Sequence, residues 1–140
     1  MSKVAVVYWS QTGNTEAMAN SVAEGVTAAG GEAALITAGD FNSGAVAEYD
    51  AIAFGCPSMG VEVLEEAEFQ PMWDDVKGSL SGKKIALFGS YGWGDGEWMR
   101  NWEDECRACG IKLAAESVLV NNAPEGEGAD ACKALGAALV

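Results

Sequence analysis

An α/β fold built on an open, doubly wound parallel sheet is what this sequence predicts, and three observations predict it. Apolar runs such as KVAVVYW and KKIALFG lack the polar–apolar alternation of a half-exposed strand. Segments between them carry apolar residues at helical spacing. Strand and helix then alternate along all 140 residues, and right-handed crossovers between parallel strands put helices on both faces of the sheet. The expectation is a three-layer α/β/α sandwich, with residues 1–140 forming a single domain.

Each element has its own warrant. Residues 3–9, KVAVVYW, make the first strand. The helix TEAMANSVAEGVTAAGG follows, with Met18, Val22 and Val26 on one side and Gly30 and Gly31 to stop it. EAALIT is a short second strand. Asp50 introduces AIAFG, the third strand, which opens into the loop CPSMGVEVLEEAEF. FQPMWDDVKGSLSG reads as a shorter helix, with Pro71 tolerated in its first turn. KKIALFG is the fourth strand and ends in the loop SYGWGDG. EWMRNWEDECRACG is helical, with Trp98, Trp102 and Cys106, or Met99, Cys106 and Cys109, near one apolar side. IKLAAESVLV is the fifth strand, NNAPEGEG a loop, and ADACKALGAALV a closing helix to which Gly136 costs some propensity.

Composition narrows the function. Hydrophobic residues make up 49% of the chain, enough for a full core. No apolar run approaches the ~20 residues of a membrane span, and no secretory leader is evident, so a cytoplasmic protein is expected. Twenty-one Asp and Glu oppose eight Lys and Arg, for a formal net charge of -13. Such a surface repels nucleic acid and anionic lipid, and it suits soluble partners with basic docking faces. Plain solubility is the competing account of the charge. The CRAC motif has the spacing of a metal or redox pair, but there is no second such pair and no histidine. Helix packing explains it better, and Cys56 and Cys132 read as small buried residues.

Three loops follow the carboxyl ends of strands, where open α/β sheets bind ligands. In SQTGNT, Ser10, Thr12 and Thr15 supply neutral hydroxyls, Gly13 permits a close backbone approach, and Asn14 adds donors where a helix begins. The helix start contributes free amides and its positive end. These are the parts of an anion site suited to one phosphoryl group. A P-loop would need GxxxxGK[ST], and a dinucleotide fold GxGxxG; both are absent. Capping of the helix with no ligand is the competing account for Thr12 or Asn14 taken alone.

The loop GSYGWGDG flanks Tyr91 and Trp93 with Gly89, Gly92, Gly94 and Gly96. An aromatic between glycines can lie over a flat ligand while nearby amides reach the ring edge; a tight turn with a half-buried Trp is the alternative. In CPSMGVE, Met59 offers a polarizable thioether, Gly60 lets the Gly60–Val61 peptide take more than one orientation, and Glu62 can accept from a ring N–H. Glu65, Glu66 and Glu68 read as a solvated acidic rim.

YWSQTGNTEAMA, GCPSMGVEVLEEAEFQPM and FGSYGWGDGEWMR resemble the flavodoxins, especially the short-chain clostridial type, and the resemblance spans essentially the whole chain. No extra segment of about twenty residues splits the fifth strand, as a long-chain member would have. The resemblance implies strand order 2-1-3-4-5 and one non-covalently bound FMN. It assigns the phosphate loop to Ser10, Gln11, Thr12, Gly13, Asn14 and Thr15, with Ser90 as a further donor. It places Met59 and Trp93 on either side of the isoalloxazine ring, within the loops Pro57, Ser58, Met59, Gly60, Val61 and Glu62, and Gly89, Ser90, Tyr91, Gly92, Trp93 and Gly94. Gly60–Val61 is the peptide that turns toward reduced N5, and Glu62 accepts from N3–H. Two departures stand out: Pro57 lies where relatives can carry a phosphate-contacting serine, and Val61 replaces an acidic residue found in some of them.

What the resemblance implies is a low-potential one-electron carrier between redox proteins, monomeric, cycling mainly between semiquinone and hydroquinone. It implies no substrate turnover of its own and no metal, nor does the sequence offer a histidine base or an activated nucleophile. An FMN-dependent NAD(P)H or quinone reductase is the alternative, disfavoured because Met59 and Trp93 would cover both ring faces. A response-regulator receiver would need clustered Asp residues after strands one and three, and Cys56 ends the third.

Overall fold

The computed structural model describes residues 2–10, 13–58, 64–92, 96–121 and 126–140. Five strands, β1 (Lys3–Tyr8), β2 (Glu32–Thr37), β3 (Ala51–Gly55), β4 (Lys84–Tyr91) and β5 (Val118–Asn121), form one sheet in the order β2-β1-β3-β4-β5. Every pairing is parallel. The helices are α1 (Asn14–Ala28), the one-turn α2 (Ser43–Val46), α3 (Phe69–Val76), α4 (Glu97–Ala108) and α5 (Glu127–Ala138).

The apolar runs of the central strands β1, β3 and β4 are buried on both faces, which is why they show no alternation, whereas the edge strands β2 and β5 are partly exposed. Ala5, Val7, Ile52, Phe54, Ile85 and Leu87 meet α3 and α4, while Val4, Val6, Ala51, Ala53, Ala86 and Phe88 meet α1 and α5. Under α3 and α4 the filling is aromatic: Trp73 stands edge-on to Phe54 at 5.2 Å and to Trp102 at 5.6 Å, and Phe69 to Trp102 at 5.4 Å. Each such pair contributes about 0.5–1.5 kcal/mol beyond its buried area. Trp73 Nε1 also donates to the Glu105 carboxylate, which ties α3 to α4.

On the opposite face, small residues let helices approach. A Cβ on Gly25 would run into the Lys133 carbonyl oxygen, and one on Gly136 into the Val22 carbonyl oxygen. The helical propensity lost at Gly136 is thus the condition for α1 and α5 to touch.

Several boundaries differ from the sequence expectation. β4 runs on to Tyr91, because Ser90 and Tyr91 pair with Val120 and Asn121 of β5. The fifth strand is shorter than residues 111–120: before Val118 only Leu113 bridges to Ile85, and Ser117 turns aside to donate to Glu103. α3 ends at Val76 and passes into a 3-10 turn, Lys77–Ser79, around Gly78. α2 was not anticipated; its signal was Asn42, whose side chain caps the Ala45 amide. Cys109 is exposed rather than part of the apolar side of α4. The helix closes there as Gly110 takes φ 76 and Ile111 donates back to the Cys106 carbonyl, so Ile111 fills the core position instead.

β1, β3 and β4 are neighbours in register, Tyr8 beside Gly55 and Gly55 beside Phe88. Their carboxyl ends therefore deliver the three ligand-type loops side by side.

Candidate functional site

The site is best built from the end of β1. Ser10 Oγ accepts from the amides of Gly13 and Glu16, both at 3.2 Å, and so fastens the turn to the start of α1. Gly13 holds φ 93, a left-handed conformation that glycine adopts without strain. The intrahelical ladder begins with Ala17 donating to the Gly13 carbonyl. The amides of Asn14 and Thr15 lie ahead of it, at the positive end of a 15-residue helix.

Across from that helix start, the Thr15 and Ser90 side-chain oxygens lie 3.2 Å apart, one on α1 and the other on β4. Both side chains are buried. Two hydroxyls that satisfy each other with a single proton leave the second proton for an acceptor beside them. With the helix amides, this is a set of neutral donors that an anion could use. Ser10 Oγ also accepts two amides and so organises the turn, while its own proton remains the part that a ligand can use.

The second and third loops are laced together. Cys56 donates its amide to the Phe88 carbonyl at 3.2 Å, and Ser58 donates to the Ser90 carbonyl at 3.0 Å, which extends the β3–β4 pairing past the strand ends. Gly89 is obligatory here, because a Cβ would meet the Cys56 carbonyl oxygen. Pro57, Ser58 and Tyr91 are half-buried and Gly92 is exposed. Asn121 Nδ2 donates to the Tyr91 carbonyl at 3.3 Å and steadies the end of β4. Gln11, Thr12, Met59, Gly60, Val61, Glu62, Trp93 and Gly94 lie outside the described residues.

Three residues at this end were not read as part of the site. Trp98 donates from Nε1 to the Cys56 carbonyl at 3.2 Å, and its ring packs 5.7 Å from that of Tyr91. Cys56 Sγ accepts from the Glu65 amide at 3.4 Å. Burial pushes the Cys56 thiol up to about 12, with the nearby Glu65 charge adding to it and the Glu65 amide opposing it, so it stays a neutral hydrogen-bonding group. Glu65 is not a solvated rim residue: it is buried, and its carboxylate accepts from the amides of Ala67 (2.7 Å), Glu68 (2.7 Å) and Phe69 (2.9 Å) at the start of α3. Burial raises its pKa, and the three amides together override that and hold it below the ordinary range. The sequence signal was an acidic residue four positions ahead of an apolar helical run. Glu66 and Glu68 are exposed as expected, although Glu68 accepts from Trp9 Nε1 at 3.3 Å.

At the outer edge, Tyr8 donates to the Glu16 carboxylate at 3.4 Å. Burial, then the Glu16 charge and this hydrogen bond, raise the tyrosine pKa. The three loops at residues 10–15, 56–62 and 89–96 contain no basic side chain, so what they offer an anion is dipoles and hydroxyls.

Comparison with known proteins points to one family. A family model described as "Flavodoxin" matches residues 6–136. The flavodoxin of Megasphaera elsdenii is 45% identical over 138 residues, covering 96% of each chain. That of Clostridium beijerinckii is 44% identical over 120 residues, covering 86% of this chain and 87% of its own. The solution structure of two-electron reduced Megasphaera elsdenii flavodoxin superposes with a TM-score of 0.90 at 45% identity, covering 97% of both chains.

Proposed function

The chain belongs to the flavodoxin family, the short-chain type, so it binds FMN and transfers electrons; on that premise we propose how its residues divide the work. Bound FMN supplies the redox chemistry, accepting and releasing electrons one at a time. The protein is an electron carrier rather than an enzyme with its own substrate. We assign the whole chain to one FMN-binding unit.

The residues present fit the cofactor. The buried Thr15–Ser90 hydroxyl pair and the Gly13–Asn14–Thr15 helix start offer neutral donors for a single phosphate, joined in this reading by Ser10, Gln11 and Thr12. Met59 and Trp93 would take the two faces of the ring. Gly89, Ser90, Tyr91, Gly92 and Gly94 would line the phosphate and ring edge, as would Pro57 and Ser58. The Gly60–Val61 peptide would offer its carbonyl to the N5 edge, and Glu62 would accept from N3–H.

The net charge of -13 supports partners that present basic docking faces. It also supports a low second potential, since an added negative charge is opposed by its surroundings. Cytoplasmic placement and a monomeric state complete the proposal; among the described residues no helix is long and apolar enough to cross a membrane.

The single observation that carries the site assignment is the Thr15–Ser90 pair, held at the α1 terminus beside the end of β4. The test is release of the cofactor by acid, its identification by chromatography, and an anaerobic reductive titration followed by visible absorption. One FMN per chain reduced in two resolved one-electron steps is expected. Recovery of mainly FAD would sink the cofactor assignment, and a single two-electron step would sink the one-electron role.

A further inference from the structure

Cys56, where the chain leaves β3, touches Glu65, where the chain enters α3. At the leaving end, Cys56 is held through all of its polar groups. Its amide donates to Phe88, its carbonyl accepts from Trp98 Nε1 at 3.2 Å, and its sulfur accepts from the amide of Glu65 at 3.4 Å. At the rejoining end, Leu64 is buried and the Glu65 carboxylate is committed to three amides of the α3 start. Gly89 and Trp98 close around the Cys56 carbonyl from the β4 side, where no side chain larger than hydrogen fits.

We propose that Cys56 and Trp98 are positioning residues for the first reduction step: by fixing where the 57–64 segment departs and returns, they set the first reduction potential. This rests on the reading above, in which the Gly60–Val61 peptide of that segment exchanges between two orientations coupled to the redox state. A potential reports the free-energy difference between those two states of the loop. Holding Cys56 and Glu65 to each other and to Phe88 and Trp98 limits the conformations open to any chain that joins them. Freeing an end adds alternatives that have to be given up on reduction, an entropic cost borne by the reduced side alone. The first potential therefore falls when the fastening is cut. The sulfur is a neutral acceptor in a buried place, so it fastens the loop without adding charge near the ring.

The experiment is anaerobic potentiometry on the holoprotein and on Cys56→Ala, Cys56→Ser and Trp98→Phe, with FMN content measured on each. Cys56→Ala is expected to lower the first one-electron equilibrium constant about tenfold, which is ~59 mV for one electron. Cys56→Ser, whose hydroxyl can accept the same amide, is expected to recover part of that shift. Trp98→Phe keeps a ring against Tyr91 and loses the N–H, and it should move the first potential in the same direction. Acting through one loop, the Cys56→Ala and Trp98→Phe shifts should add incompletely in the double variant. Amide exchange at Glu65 should quicken in apoprotein carrying Cys56→Ala.

Cys132→Ala is the control for a lost buried thiol, because Cys132 is a buried residue of α5, on the far face of the sheet. It should cost stability and leave both potentials alone. Unchanged first potentials in Cys56→Ala and Trp98→Phe, with one FMN still bound per chain, overturn the positioning role. A shift in Cys132→Ala equal to that in Cys56→Ala overturns it as well. Absence of FMN from the wild-type protein would instead overturn the functional reading on which it rests.

Discussion

The side-chain oxygens of Thr15 and Ser90 stand 3.2 Å apart in a buried position, although 75 residues separate them in the chain. Parallel pairing of β1, β3 and β4 brings them together, since α1 starts at the end of β1 and Ser90 lies at the end of β4. A buried hydroxyl pair needs an acceptor for its second proton, and the helix terminus beside it favours an anionic one.

Thr15→Val keeps the shape of the side chain and removes one hydroxyl. A hydrogen bond to a charged acceptor is worth about 1.5–3 kcal/mol, so FMN affinity should fall about tenfold to a hundredfold. Riboflavin, which has the same ring and no phosphate, should bind the variant and the parent alike. Fluorescence titration of the two apoproteins with both flavins is the measurement. Equal losses for FMN and riboflavin would place Thr15 in support of the loop rather than against the phosphate.

The Glu65 carboxylate makes acid stability a test of the α3 cap. Its folded pKa lies below the ordinary glutamate value of 4.5, because three amide donors outweigh its burial. The stabilisation is therefore complete above that ordinary value and is lost as pH falls through the lower folded value. Glu65→Gln should cost about 1 kcal/mol near neutrality, the usual scale of a helix cap. The gap between parent and variant should close as the pH drops below 4.5. Urea midpoints taken from neutral to acid pH check both the size and the sign.

Gly136 offers a test in which propensity and packing disagree. Alanine is about 1 kcal/mol better than glycine in a helix interior. At this position, however, its methyl would collide with the Val22 carbonyl of α1, and such overpacking costs about 1–3 kcal/mol. Gly136→Ala should lower the denaturant midpoint with little change in slope. Gly78→Ala has open space around the new methyl and an ordinary φ, and it should be neutral or slightly stabilising.

These cases show where the sequence was legible. Continuous apolar runs alternating with helical spacing carried the fold, because burial of strands on both faces leaves that trace in composition. The closure of α1 was visible as Gly30 and Gly31, whereas that of α4 at Gly110 was not read. The short extent of β5 was not, since residues 111–117 are apolar enough for a strand and only their pairing partner fails. Ser10, Gly13, Asn14 and Thr15 could be read as an anion loop from local chemistry alone. The contact of Thr15 with Ser90 is a product of topology, and no local pattern encodes it. Glu65 was hidden by its neighbours: inside an acidic run its charge looks like solvation, and only the three amides of α3 distinguish it. Trp98 was legible as a core residue of α4, whereas the use of its N–H on Cys56 depends on the neighbouring strand end.

The last prediction concerns the two residues assigned to opposite reduction steps. If the Gly60 carbonyl accepts from N5–H after the first electron and proton, that hydrogen bond exists in one redox state and not in the oxidised one. A state-specific hydrogen bond is worth about 0.5–1.5 kcal/mol, so it raises the first potential. Gly60→Ala hinders the turn and should lower the first potential while FMN stays bound. Glu62 acts on the other step. The second electron tends to place a negative charge on the covered ring, with a net charge of -13 around it and no basic side chain in the three loops. Removing one nearby carboxylate relieves part of that repulsion, so Glu62→Gln should make the second potential less negative. Salt should soften the share that comes from remote surface carboxylates more than the share from Glu62, because exposed charges are screened over about 8–10 Å. The decisive pattern is a crossed one, in anaerobic potentiometry at two ionic strengths. Gly60→Ala should move mainly the first potential and Glu62→Gln mainly the second. A Gly60→Ala protein with an unchanged first potential would remove the peptide turn from the mechanism, even with FMN bound at full occupancy.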